Sequence, residues 1–75
     1  MGRMAGILAL RMIKALARLG WTVERARGTS HHVLVKAGHP PITVPVKKGQ
    51  PLKQGTARAI LKQAGVSEEE FFAEY

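Results

Sequence analysis

Hydrophobic and polar positions repeat with a helical period in two separate parts of the chain. From about residue 7 to residue 19, apolar side chains recur three and four positions apart, the spacing that places them on one face of a helix. Basic residues recur on another face of this stretch: Arg11, Lys14 and Arg18. The apolar spacing returns from about residue 56 to residue 64. Gly20 and Gly65 directly follow the two stretches, where a left-handed residue commonly ends a helix, so the pattern predicts two helices.

A short third helix is predicted after Gly65 by the stretch VSEEEF. Ser67 is a good N-cap, and Glu70 stands three residues later, as in a capping box. Val66 and Phe71 have the spacing of the apolar pair that often staples such a helix start. Most of the acidic residues of the chain thus have a structural explanation, because a helix dipole favours negative charge in the first turn.

Three short stretches between the two longer helices have the composition of β-strands: residues 21–27, 31–36 and 42–46. Turn-forming residues separate them, which predicts an antiparallel meander. Pro45 has no N–H to donate, so the third strand should lie at an edge or be bulged there. The expected fold is α+β, α-β-β-β-α, with two helices on one face of a three-stranded antiparallel sheet and a short C-terminal helix. The length predicts a single domain, residues 1–75.

The charge is distributed unevenly along the chain. The net charge is +7, but four of the five acids lie within residues 68–75. Residues 1–67 contain all 12 lysines and arginines and one acid, Glu24, and therefore have a net charge of +11. A body this basic attracts polyanions without sequence preference, which predicts nucleic acid or an acidic protein as the partner.

Residue types that are missing exclude several classes of chemistry. Because the chain has no cysteine, disulfides, zinc–thiolate sites and iron–sulfur clusters are excluded. Because it has no Asp, a Ser-His-Asp triad is excluded, and one glutamate outside the tail is too few for a calcium or magnesium site. We therefore expect no metal and no small-molecule cofactor. The apolar runs are too short to span a bilayer, and we expect no membrane association and a cytoplasmic location.

The adjacent histidines in GTSHHVLV are the candidates for catalysis. Successive strand residues point to opposite faces of a sheet, so His31 and His32 cannot bind one metal ion without breaking the strand. His32 shares a face with Lys36, which predicts that this face is open and that His31 lies at the end of the helix-covered face. A partly desolvated histidine among cations stays neutral and is available as a general base. The pattern leaves open that His31 is structural, with its ring bonded to a turn carbonyl.

A base in a polycationic protein is chemically suited to RNA. The 2′-OH of RNA is an internal nucleophile held near the phosphorus, so the protein must supply a base and cations for the developing charge. Phosphate-binding groups are expected near the start of the second helix: Lys47, Lys48, Lys53, Thr56 and Arg58. This chemistry predicts a metal-independent ribonuclease that leaves 2′,3′-cyclic phosphate ends. The alternatives are an RNA-binding module that does not cut and a DNA-binding regulator, which the lack of a helix-turn-helix pair disfavours.

Several stretches together resemble one known family. MIKALARLGW in the first helix, GTSHH at the start of a strand, and ITVPV followed by LKQGTARAILKQAGVSEEEF are similar in order and spacing to the HicA toxins of bacterial and archaeal HicAB toxin–antitoxin pairs. The similarity extends from residue 12 to residue 72. Its most specific parts are residues 28–31 and 55–65.

The resemblance implies a fold, an activity and a site. HicA toxins have a fold like that of the double-stranded-RNA-binding domain and are metal-independent mRNA interferases, and a HicB antitoxin neutralises them by covering the active site. Their catalytic histidine follows a glycine and a serine at the strand start, which corresponds here to His31 after Gly28 and Ser30. Many members have a histidine soon after the third strand, where this chain has Lys47 and Lys48.

Overall fold

The helices and strands follow the order that the hydrophobic pattern predicts. In a computed structural model, which describes residues 3–27 and 30–75, they are α1 (Ala9–Arg18), β1 (Thr22–Arg27), β2 (His31–Val35), β3 (Ile42–Pro45), α2 (Gln54–Ala64) and α3 (Glu68–Glu74). The strands form an antiparallel sheet in the order β1-β2-β3. The predicted α+β fold, like that of the double-stranded-RNA-binding domain, is confirmed. Within the described residues, no helix has both the length and the apolar character needed to cross a membrane.

β2 is the central strand of the sheet, and its first residue is His31. His31 pairs with Arg27 of β1 and with Pro45 of β3. β3 lies at an edge of the sheet, as predicted, because proline cannot donate a hydrogen bond to a further neighbour, and it ends at Pro45, one residue before the predicted end. The bulge in the sheet lies in β1, between Val23 and Arg25. The start of β2 is therefore held by strands on both sides.

One face of the sheet is covered by helices and forms the core. Leu34 of β2 and both Ile42 and Val44 of β3 are at most 1% exposed, and strand alternation places them on this face. α1 contacts β1 and β3, and α2 contacts β3. The helices supply further buried side chains: Met12, Ile13, Leu16, Ala57, Ile60, Leu61 and Phe71. Thr43, on the opposite face, is exposed, so the two longer helices cover one face, as predicted.

α2 begins earlier than its apolar spacing indicates. Its first residue is Gln54, two positions before Thr56, because the first turn of this helix lies outside the buried stripe and needs no apolar residue. α1, in contrast, begins at Ala9, and Ile7 is buried in the segment that precedes it. Both glycines expected to end the helices have positive φ. The earlier start places Thr56 within the first turn of α2.

The capping box of α3 is formed as predicted. Ser67 Oγ accepts a hydrogen bond from the Glu70 backbone N–H (3.1 Å), and Glu70 Oε1 accepts one from the Ser67 backbone N–H (3.0 Å). Both hydrogen bonds with Ser67 lower the pKa of Glu70 below its ordinary value, and the bond from the Ser67 backbone has the larger effect. Hydrogen bonds to a carboxylate favour its charged form. The start of α3 is thus secured by local contacts.

We expect Ser67→Ala to lower the free energy of unfolding by about 0.5–2 kcal/mol, the usual effect of losing an N-cap. Because the pKa of Glu70 is lowered in the folded chain, its carboxylate stabilises the fold above the unfolded pKa, and this contribution is lost as the pH falls through the lowered folded value. Urea unfolding at neutral and acid pH measures both effects. Glu70→Gln should remove the pH-dependent part, and equal stability of Ser67→Ala and wild type at neutral pH would contradict the capping role.

Candidate nucleic-acid interface

His31 and His32 lie on opposite faces of the sheet, as predicted, but the two faces are exchanged. His32 shares the helix-covered face with Leu34, and its Nδ1 is buried without a hydrogen-bond partner among the described residues. His31 is exposed and lies on the open face. The prediction that His31 is partly desolvated beneath the helices is therefore wrong. The imidazole of His31 is exposed to solvent.

Lys36 lies on the helix-covered face of the sheet, together with His32 and Leu34. A lysine suggests a solvent-exposed face, yet the side chain of Lys36 is partly buried, and its Nζ donates a hydrogen bond to the carbonyl oxygen of Leu19 (3.0 Å) at the end of α1. A lysine can cover apolar surface with its methylene groups while its charged end reaches a polar partner. A lysine at the end of a strand is therefore compatible with either face.

The His31 side chain has one ring nitrogen held by a neighbour and is otherwise accessible. Its Nδ1 lies 3.1 Å from Ser30 Oγ. When Nδ1–H donates this bond, Nε2 keeps its lone pair and can accept a proton. Ser30 is anchored in turn, because its carbonyl oxygen accepts a hydrogen bond from the Val46 backbone N–H (2.6 Å). An oriented and exposed imidazole has the properties required of a general base.

The pairing of β2 with β3 brings the basic loop, residues 46–53, next to His31. Pro45 is the partner of His31 in the register, and the Cα atoms of such partners are about 5 Å apart. Lys47 follows Pro45 by two residues, which is at most about 7 Å of extended chain. The Cα atoms of His31 and Lys47 are therefore within about 12 Å of each other.

A shallow cleft of about 240 Å³, the first cleft, lies between the end of β3 and the start of α2. Its lining residues are Pro45, Lys47, Gln50, Pro51, Leu52, Lys53 and Thr56. Lys53 is the N-cap of α2 and makes no capping bond with its side chain, and the first turn contains no acidic residue. The first N–H groups of a helix have no partner within it and favour anions. Together with the two lysines they make this cleft suited to phosphate.

The other predicted site residues that the structure describes do not line the first cleft. Lys48 is exposed and lines a second cleft of about 320 Å³, between the basic loop and the start of α1. Arg58 is exposed on α2 and does not line the first cleft. Gly28 lies outside the described residues. His31 adjoins the first cleft through Pro45 but is not among the residues that line it.

Two residues that adjoin the site were not predicted for it. Gln50 lines both the first and the second cleft, and Arg11 of α1 lines the second. Arg11 is visible in the sequence as part of a basic helix face, but only the packing of α1 brings it next to the basic loop. Among residues 3–27 and 30–75, no group of three or more His, Cys, Asp or Glu side chains could hold a metal ion.

Comparisons with known proteins relate the sequence and the fold to toxins. The family model described as the HicA toxin of bacterial toxin-antitoxin matches residues 11–66. Among solved structures, a toxin–antitoxin complex from Streptococcus pneumoniae contains a chain that is 35% identical, with a TM-score of 0.69, and the match covers 80% of this chain and 98% of that chain. No curated protein matches significantly. Because the family model spans more than half of the sequence, including the start of β2, the chain belongs to the HicA toxin family.

Proposed function

We propose that this HicA toxin is a metal-independent endoribonuclease that cleaves mRNA, with His31 as the general base. The observation that supports this most directly is the exposed imidazole of His31, with Nδ1 3.1 Å from Ser30 Oγ, beside a cleft that contains Lys47 and Lys53. The family resemblance points to the same activity and the same histidine. The lack of carboxylates outside the tail, apart from Glu24, favours chemistry that needs no metal ion.

The proposed reaction is an internal transfer at phosphorus. Nε2 of His31 takes the proton from the ribose 2′-OH, the 2′-oxygen forms a bond to the adjacent phosphorus, and the bond from phosphorus to the 5′-oxygen breaks. The leaving 5′-oxygen takes a proton from water, and His31 returns its own proton to water. The products are a 2′,3′-cyclic phosphate and a 5′-hydroxyl. The protein needs to supply only orientation, a base and charge stabilisation, because the nucleophile belongs to the substrate.

The first cleft supplies positive charge for the phosphate in this proposal. Lys47 and Lys53 offer ammonium groups, and Thr56 and the N–H groups of the first turn of α2 offer hydrogen-bond donors. Negative charge on the phosphoryl oxygens is stabilised by such groups when they are in place before the reaction. Ser30 acts as a positioning residue, because it fixes the ring of His31 and does not itself touch the reacting atoms.

We expect Lys53→Gln to lower kcat/KM for RNA cleavage about tenfold, less than the loss of a donor in a closed active site, because this cleft is open to water. Lys62→Gln is the matched control, since Lys62 is an exposed lysine in the last turn of the same helix. Rates on one labelled RNA at a fixed salt concentration measure the difference. An equal loss in both variants would mean that general charge, and not the first cleft, determines the rate.

The central experiment separates an enzyme from a module that only binds RNA. Purified protein is incubated with labelled RNA in the presence of EDTA, and the cleavage position is mapped. A second RNA of the same sequence, with a single 2′-deoxynucleotide at that position, is then tested in the same way. We expect cleavage in EDTA, a 2′,3′-cyclic phosphate on the product, and no cut at the 2′-deoxy position. Salt-dependent binding with intact RNA after long incubation would identify the non-catalytic RNA-binding module instead.

A HicB-like antitoxin is the proposed protein partner. The similar chain from Streptococcus pneumoniae belongs to a toxin–antitoxin complex, and a net charge of +11 over residues 1–67 suits an acidic protein surface. The product of the adjacent gene should relieve growth arrest when it is coexpressed with the toxin. Persistent growth arrest with a stably expressed neighbour would exclude that neighbour as the antitoxin.

A further inference from the structure

The cations of α1 adjoin the proposed RNA site through shared surface residues. Lys47 lines both the first and the second cleft. Arg11 lines the second cleft and also a third one of about 280 Å³, which is otherwise lined by Lys14, Arg18 and Tyr75. The three clefts therefore adjoin one another through shared residues and form one surface, which we call the basic track; apolar side chains also line its middle cleft, among them Leu8, Leu10 and Val46. Its six cations are Lys53, Lys47, Lys48, Arg11, Lys14 and Arg18.

The end of α3 holds the two arginines of the basic track in place. Arg11 Nη2 donates a hydrogen bond to the backbone oxygen of Tyr75 (2.6 Å), and its guanidinium lies 4.0 Å from the centre of the Tyr75 ring. Arg18 Nη1 donates to the carbonyl oxygen of Glu74 (2.8 Å). The Tyr75 hydroxyl accepts a hydrogen bond from the Leu8 backbone N–H (3.0 Å). Each guanidinium has five N–H donors, so most of them stay available for a ligand while the group is held in position.

The composition of the third cleft favours RNA as its ligand. Three cations and one tyrosine line it, and no aliphatic side chain contributes. The core of a protein–protein interface is depleted in charge, whereas a groove for single-stranded nucleic acid combines basic residues with aromatic rings. Arg11 and Arg18 are separated by about 10 Å along the helix, which is long enough for more than one nucleotide.

We infer that the basic track binds the RNA strand beyond the cleavage position, so that the toxin holds several nucleotides more than the first cleft accommodates. This inference rests on the proposed function, because it assumes RNA as the substrate. Lys14 lines the third cleft, is exposed, and lies between Arg11 and Arg18 in the sequence of α1. Lys14, Arg11 and Arg18 are not among the groups placed at the reacting phosphate, so this part of the track adds affinity for long RNA without taking part in the reaction.

The experiment measures RNA binding in the His31→Ala background, in which nothing should be cut. Two single-stranded RNAs of about 4 and about 16 nucleotides are compared, the range of footprints of small single-strand-binding domains. We expect Lys14→Gln to weaken binding of the longer RNA about threefold to tenfold and to reduce the slope of log K against log salt by about 0.7. Binding of the shorter RNA should stay within about twofold, and the matched Lys62→Gln should leave both affinities unchanged.

Two results would overturn the inference. Equal effects of Lys14→Gln and Lys62→Gln on the longer RNA would mean that only the overall charge matters. Unchanged RNA binding by Lys14→Gln, together with loss of inhibition by the antitoxin, would identify the surface as a protein-docking site. Because the readout is binding, it is separate from the proposed activity: a protein that cuts no RNA but whose binding of the longer RNA depends on Lys14 would refute the ribonuclease and support the track.

Discussion

His31→Ala is expected to lower the rate of RNA cleavage about 10²–10⁴-fold, the usual contribution of a positioned general base, and to abolish growth arrest in cells. The reason is local: His31 is exposed, with its Nδ1 beside Ser30 Oγ, so Nε2 is free to face a substrate. Single-turnover cleavage of a labelled RNA in EDTA measures the loss. Because the side chain is exposed, its removal leaves no cavity, and the variant should unfold at the same urea concentration as the wild type.

His39→Ala is the matched control for this variant. His39 is also exposed, and its ring packs edge-on against Trp21, with ring centres 5.4 Å apart. It lines none of the three clefts of the basic track. Its loss should leave the cleavage rate unchanged. If His31→Ala still cut RNA at the wild-type rate and arrested growth fully, His31 would not be the base, and the site would have to be sought elsewhere.

Phe71→Ala is expected to lower the free energy of unfolding by about 3–5 kcal/mol, the usual cost of emptying a buried phenylalanine site. Phe71 is fully buried, and its ring packs against Phe72 and Tyr75, with ring centres 5.0 and 5.2 Å away. A chain of this length has a total stability of about 4–11 kcal/mol. The loss is therefore a large fraction of the total stability, so the variant should unfold at a much lower urea concentration than the wild type, and α3 should hold Arg11 less firmly.

Urea unfolding followed by the fluorescence of Trp21 measures this loss, because Trp21 is the single tryptophan and is 2% exposed. Phe71→Leu keeps most of the buried volume and should fall between the alanine variant and the wild type. Leu10→Ala is the control for an exposed apolar residue: Leu10 is 56% exposed, and its loss should change stability by no more than about 0.5 kcal/mol. Similar losses for Phe71→Ala and Leu10→Ala would show that α3 is not part of the core.

The two histidines show which part of a side chain's environment the strand pattern predicts. Alternation along a strand depends on backbone geometry alone, so it predicts correctly that His31 and His32 point to opposite faces. Which face the helices cover depends on side chains from other elements. The charge of Lys36 predicts an open face, but this prediction is wrong because the charged end of the side chain donates a hydrogen bond to the carbonyl oxygen of Leu19 on the covered side.

The phosphate-binding residues were predicted in part. Lys47, Lys53 and Thr56 come together because a short loop joins β3 to α2, and closeness in the sequence keeps them close in space. The position of Arg11 beside Lys47 has no such local cause, because it depends on the packing of α1 against the sheet. The roles of the predicted site residues remain predictions, and Gly28 lies outside the described residues.

By itself, the sequence determined the order of the elements, the capped start of α3, the excess of positive charge and the scarcity of carboxylates. These features depend on composition and on spacings of a few residues, for which local backbone geometry is sufficient. Only the tertiary structure decided that His31 faces solvent, that three clefts join into one basic track, and that Arg11 is held by Tyr75, 64 positions away in the sequence. Such contacts arise when the apolar faces of distant elements are buried together, and a local pattern does not specify which elements those are.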